Sequence, residues 1–186
     1  SENLFRWWGF SNESPWGGSK MSILALNSLQ GDSLEQALLR CCHSTNWVKL
    51  MVKAHPFASK EALHETAVSA WKEMGREDIM EAFLGHPMIG ADIDALRKKF
   101  QTTSSWSEGE QSGIAEASTQ TILALQKANK EYLIRFGYIF IVCATGKTAM
   151  EMLTLVQERL HNDPEQELAI AAGEQQKVTA IRLEKL

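Results

Sequence analysis

The chain has 186 residues, enough for one domain with its own apolar core. Hydrophobic residues make up 44% and charged residues 23%, with a formal net charge of −4; this is the balance of a soluble globular domain and argues against a nucleic-acid binder, which carries a basic face. The three cysteines, Cys41, Cys42 and Cys143, form neither an even set nor a CxxC pair, which points to a reducing, cytoplasmic setting rather than a disulfide framework.

Residues 1–20 hold Trp7, Trp8 and Trp16 among Gly, Ser, Asn and Pro without a sustained period. They are read as an extension, added or variable, and the domain proper as residues 21–186. Ser33 and Gln36 have capping-box spacing, ahead of Leu34, Ala37, Leu38 and Cys41 on one helical face. Trp47, Leu50, Met51 and Ala54 repeat that spacing up to Pro56. A third helix is expected from Ser59, with Leu63, Ala67, Ala70, Trp71 and Met74 inward and Gly75 as its stop, and a fourth over about 77–84. Pro87 cannot continue a helix and biases His86 away from the αR region. A short helix near 92–100 and a hydroxyl-rich connector at 102–107 lead to a second capping box, Ser107 with Glu110. The long helix behind it carries Ile114, Ser118, Ile122, Leu125, Asn129, Tyr132 and Phe136.

Tyr138 to Ala144 is strand-like in composition, but no second run exists to pair with it, so it is expected to be a buried extended segment ended by Gly146. Ala149, Met152, Leu153, Val156 and Leu160 define the next helix. Asp163 as N-cap and Pro164 at N1 start the last one, which runs to about Leu183 with Leu168, Ala171, Ala172 and Val178 inward. The expected fold is all-α, seven or eight helices in one domain. No apolar run approaches the roughly eighteen residues of a membrane span, and the terminal Glu184-Lys185-Leu186 differs from the peroxisomal S-K-L tail.

Three segments can carry chemistry. Gly85-His86-Pro87-Met88-Ile89-Gly90 presents an imidazole whose ordinary pKa suits proton transfer; Ala54-His55-Pro56-Phe57 does the same, and composition does not choose between them. Ser107-Glu108-Gly109-Glu110-Gln111 sets a carboxylate and an amide at a helix start, where anions are favoured. Phe140, Ile141, Val142, Cys143 and Ala144, lacking a sheet partner, have backbone N–H and C=O groups to offer a ligand rich in amides. Each has a plainer reading as loop, helix cap or core. No HExxH, zinc spacing, GxGxxG or GxSxG is present. Ala144-Thr145-Gly146-Lys147-Thr148 ends like a phosphate-binding loop, but Ile141 stands where its first glycine belongs.

In this order and spacing, these segments resemble the OHCU decarboxylase family of urate breakdown. His86-Pro87 with Ile89-Gly90 is similar to its HPxxG loop, and Ser107-x-x-Glu110-Gln111 with Ser112-Gly113 to its SxxEQxG element. Asn129-Lys130-x-Tyr132 followed by Arg135-Phe136-Gly137 and 138–144 is similar to its NxxYxxKFGFPFIVCA signature, with Arg135 for lysine and Tyr138-Ile139 for Phe-Pro. Arg159-Leu160-x-Asn162 and Glu167-Leu168 complete the match.

The resemblance implies a helical, homodimeric carboxy-lyase needing no metal or organic cofactor. It would convert 2-oxo-4-hydroxy-4-carboxy-5-ureidoimidazoline (OHCU) to (S)-allantoin. It chooses His86 over His55 as the catalytic histidine and makes Glu110 its acidic partner. Pro87, Ser107, Gln111 and the 140–144 segment would bind substrate, with Arg159 as a further partner for its carboxylate. A different ureide lyase or hydrolase on the same scaffold, or a helical adaptor without activity, would share most of these features.

Overall fold

A computed structural model describes residues 22–88, 111–145 and 147–186, and for 111–118 the backbone alone. The expected short helix near 92–100, the connector, the second capping box, Gly146 and the boundary at residue 21 lie outside the described residues. Within these, eight helices and no strand are formed: α1 (Ile23–Ser28), α2 (Gly31–Cys41), α3 (Thr45–Ala54), α4 (Lys60–Lys72), α5 (Arg76–Leu84), α6 (Gln111–Phe136), α7 (Ala149–Arg159) and α8 (Pro164–Glu184). The fold is all-α. No described helix is long and apolar enough to cross a membrane.

The described chain divides into two compact units. The first takes the described part of Glu2–His86 with Ile141–Cys143 and Ile170–Leu186; the second takes that of Pro87–Phe140 with Ala144–Ala169. Helix α8 runs through the division.

In the first unit α3 packs against α2, α4 and α5. Most of the spacing that marked these helices is buried: Leu34, Ala37, Leu38 and Cys41 on α2, Trp47 and Met51 on α3, Leu63, Ala67, Ala70 and Trp71 on α4, whereas Leu50 and Met74 are half-buried and Ala54 is exposed. The two tryptophans do more than fill volume. Trp47 donates its indole N–H to the Ala67 carbonyl at 3.1 Å and Trp71 to the Ala172 carbonyl at 3.2 Å, so α4 is tied to α3 on one side and to α8 on the other. Two local readings are corrected. Helix α2 starts at Gly31, not behind Ser33, and the Ser33 hydroxyl donates back to the Gln30 carbonyl at 2.8 Å; a serine can bond its own neighbourhood as readily as cap. The six-residue α1, capped by Ser22, was not foreseen, being too short for a periodic stripe.

In the second unit α6 packs against α7. Ile122, Leu125, Ala128, Asn129 and Tyr132 form the buried face of α6, and Met152, Leu153 and Val156 that of α7. Gly137 closes α6 in the left-handed region (φ +79°), its N–H donating to the Leu133 carbonyl at 2.9 Å. Asp163 caps α8 as expected, its carboxylate accepting from the Glu165 and Gln166 N–H groups. Phe140, Ile141, Val142 and Ala144 are buried in backbone that forms neither helix nor strand.

Candidate active site

His86 sits at the exit of α5, and local physics puts it there. The helix tightens over its last turn, with Gly85 N–H donating to Ala82 and His86 N–H to Phe83 at 3.2 Å each. Pro87 then stops it. Gly85 is the residue that lets the turn close, because a Cβ there would collide with the Cβ of His43. The imidazole is turned inward and only 8% exposed.

What receives it is α8. From Glu167 onward that helix buries Glu167, Ala171, Gln175, Val178, Thr179 and Arg182, a stripe at helical spacing whose members are largely polar. Gln175 and Arg182 bracket His86: Nε2 lies 2.5 Å from Gln175 Oε1, and Nδ1 lies 3.4 Å from an Arg182 Nη2. Behind Gln175, its Nε2 donates to Thr179 Oγ1 at 3.1 Å, and the Thr179 hydroxyl in turn bonds the Cys42 thiol.

A buried arginine needs compensation. Arg182 Nη1 reaches the carbonyls of Arg40 and Cys41 at 3.5 Å each, the C-terminal end of α2, where helix geometry leaves acceptors and negative partial charge. Burial still draws the Arg182 pKa down. Its charge and the dry surroundings act on the histidine: burial first, then Arg182, push the His86 pKa down to about 4. His86 is therefore neutral at pH 7. The Cys41 and Cys42 thiols are pushed up to about 12, by burial above all, so neither is a thiolate nucleophile.

The 140–144 segment meets the same helix one residue earlier. The Cys143 N–H donates to Glu174 Oε2 at 2.7 Å, and Lys177 Nζ donates to Glu174 Oε1 at 2.6 Å. Adjacent residues of α8, Glu174 and Gln175, thus hold the middle of the 140–144 segment and the imidazole of His86. Among the described residues no three His, Cys, Asp or Glu side chains converge as a metal site.

The profile of the OHCU decarboxylase family matches residues 27–184. The chain belongs to this family. Among its relatives are the uric acid degradation bifunctional protein TTL of Arabidopsis thaliana, 38% identical over 147 residues, and the 2-oxo-4-hydroxy-4-carboxy-5-ureidoimidazoline decarboxylase of Mus musculus, 31% identical over 135 residues. The mouse alignment covers 70% of this chain and 72% of the relative. The plant alignment covers 78% of this chain but only 45% of its longer relative. A crystal structure of OHCU decarboxylase in the presence of (S)-allantoin superposes with a TM-score of 0.63 at 32% identity, over 80% of this chain and 94% of that one.

In this OHCU decarboxylase family member His86, Ile141, Val142 and Cys143 fall in the first unit. His55, the other His-Pro histidine, packs edge-on against Phe57 with ring centroids 5.8 Å apart. Ser107 and Glu110 lie outside the described residues, and Gln111 opens α6 with its side chain undescribed. Pro87, Phe140, Ala144 and Arg159 belong to the second unit.

There Arg159 is buried against a carboxylate of the protein itself. Its Nε and an Nη lie 2.7 and 2.6 Å from Glu167 Oε1, and its guanidinium stacks 4.5 Å from the Phe140 ring centre. The Tyr132 hydroxyl donates to the same Glu167 oxygen at 2.5 Å and Asn162 Nδ2 to the other at 2.9 Å. Sequence reading missed Glu174, Gln175, Thr179 and Arg182. The available signal was a helical repeat of polar residues at 175, 179 and 182, which an apolar-periodicity reading assigns to solvent.

Proposed function

We propose that this chain decarboxylates OHCU to (S)-allantoin, with His86 as its proton-transfer group and no metal or organic cofactor. The observation that carries this reading is the buried, neutral imidazole of His86 beside Arg182 in a chain of the OHCU decarboxylase family. The substrate carries a carboxylate on a ring carbon that also bears a hydroxyl, next to an imine-like centre. When the bond to the carboxylate breaks, its electron pair passes into the conjugated ring, so the substrate is its own electron sink. The hydroxyl must lose a proton as the ring carbonyl forms, and the neighbouring carbon must gain one on a single face.

A neutral His86 can accept the hydroxyl proton, which an imidazolium cannot. Arg182 brings positive charge to a dry site, where attraction for a carboxylate is strong. Glu110, with Ser107, Gln111 and Pro87, completes the site in this reading, gripping the ureido N–H groups or stabilising the imidazolium that forms. The backbone of Phe140 to Ala144 takes the amide-like edge of the substrate. Arg159 is assigned to holding Phe140 through the Glu167 network rather than to the substrate carboxylate. The working form is a homodimer in the cytoplasm.

The test uses substrate freshly generated by urate oxidation. Catalytic amounts of the chain should speed its decay manyfold over the spontaneous rate, and His86→Asn should return it to that rate. Equal decay with and without the wild-type chain would overturn the proposal.

A further inference from the structure

The last helix offers His86 two partners whose hydrogen-bonding capacities differ, and together they settle which ring nitrogen carries the proton. Arginine has donors only, so the Arg182 Nη2 that lies 3.4 Å from Nδ1 requires Nδ1 to be the unprotonated, accepting nitrogen. On the other side, Thr179 Oγ1 accepts from Gln175 Nε2 at 3.1 Å. The Gln175 amide is thereby oriented with its oxygen toward His86, and that oxygen needs a proton on Nε2. Both routes give the same tautomer.

We infer that Gln175, oriented by Thr179, is a positioning residue that locks His86 in the Nε2–H tautomer and leaves Nδ1 as the atom that exchanges a proton with the substrate. Gln175 is fully buried and Thr179 nearly so, and a buried amide ordinarily has its donors and acceptor satisfied. Here one end of that amide is spent on the proposed catalytic imidazole, four residues and one helical turn from the hydroxyl that orients it. A plain structural glutamine would stabilise the fold and leave the titration of His86 untouched. A positioning glutamine makes a different forecast, because the group opposite Nε2–H sets how readily Nδ1 takes a proton.

The inference rests on the proposed decarboxylation only for its kinetic arm, and the first measurement needs no substrate. Nitrogen-15 spectra of the wild-type chain labelled in histidine should show, for the resonance that His86→Asn removes, a protonated Nε2 and an unprotonated Nδ1 at pH 7. The reverse tautomer would overturn the inference whatever the activity. For the kinetic arm, Gln175→Glu keeps the shape and places a carboxylate opposite Nε2–H. Among the described residues, Arg182 and His43 also act on the ring, and neither is altered.

An opposite charge at that distance raises a pKa by about one to three units, so the acidic limb of kcat/KM should move up by at least about one unit. Gln175→Met fills the same space without the amide oxygen and should lower kcat about tenfold or more with KM nearly unchanged. An unmoved acidic limb in Gln175→Glu, or a Gln175→Met defect confined to KM, would reduce Gln175 to a packing residue. The expected tautomer without turnover of OHCU by the wild-type chain would instead refute the proposed function and leave the tautomer lock standing.

Discussion

Replacing Arg159 with methionine separates two roles for a buried cation. Glu167 is 0% exposed and Arg159 7%, and one carboxylate oxygen takes both Arg159 nitrogens within 2.7 Å. Arg159→Met keeps an unbranched side chain over the Phe140 ring but removes the guanidinium from Glu167, whose other side-chain partners among the described residues are the Tyr132 hydroxyl and the Asn162 amide. Breaking a buried ion pair from one side costs about 3–5 kcal/mol, which for a chain of this size lowers Tm by roughly 6–20 °C. Removing both charges in Arg159→Met/Glu167→Met should recover much of that loss, since the single variant's penalty is the stranded carboxylate. Urea melts of wild type, the two single variants and the double variant close the cycle. A loss below about 1 kcal/mol in Arg159→Met, the range of exposed pairs, together with a large rise in KM, would refute this reasoning. It would return Arg159 to the substrate carboxylate.

His86→Ala should lower kcat/KM by about 10²–10⁴-fold, the usual contribution of a general acid–base group, whereas His55→Ala should be nearly silent in a steady-state assay; equal losses would reject the choice of His86. Because the folded-state pKa of His86 is about 4 against an ordinary value near 6.5, the unfolded chain binds the proton more readily between those values. Stability is therefore full above about pH 6.5 and falls as pH drops toward 4, by about 2–3 kcal/mol at pH 4.5. Urea melts at pH 7.5 and 4.5 should show this loss in wild type beyond whatever His86→Asn shows, and identical pH dependence would contradict it. Glu110→Gln should slow turnover at least about tenfold while the melting midpoint stays nearly unchanged, because glutamine serves a capping box almost as well; near wild-type turnover would leave Glu110 a cap.

The helices were legible wherever burial is apolar. Leu34, Ala37, Leu38 and Cys41, or Ile122, Leu125, Asn129 and Tyr132, follow the period that the structure buries. Asp163 was legible as a cap because its side chain accepts from the first turn. The inner face of α8 was read half wrongly for one physical reason. It buries Gln175, Thr179 and Arg182 while Leu168 and Ala172 are only half-buried, so hydrophobicity points away from the edge that meets His86. Polar burial is specified by tertiary partners, here His86, Cys42 and the end of α2, that lie 89 or more positions away in the chain. His86 itself was visible only as one of two His-Pro histidines. Motif resemblance separated them, and their surroundings now distinguish them physically: a buried ring held at both nitrogens against a ring edge-packed on Phe57.

The central claim is that this chain protonates one face of the decarboxylated ring, and the optical activity of the product tests it most directly. Circular dichroism should be followed while freshly generated OHCU is consumed by catalytic amounts of the chain. The account predicts a growing signal of (S)-allantoin at a rate proportional to protein concentration, abolished in His86→Asn. Racemic product forming at the spontaneous rate would contradict it.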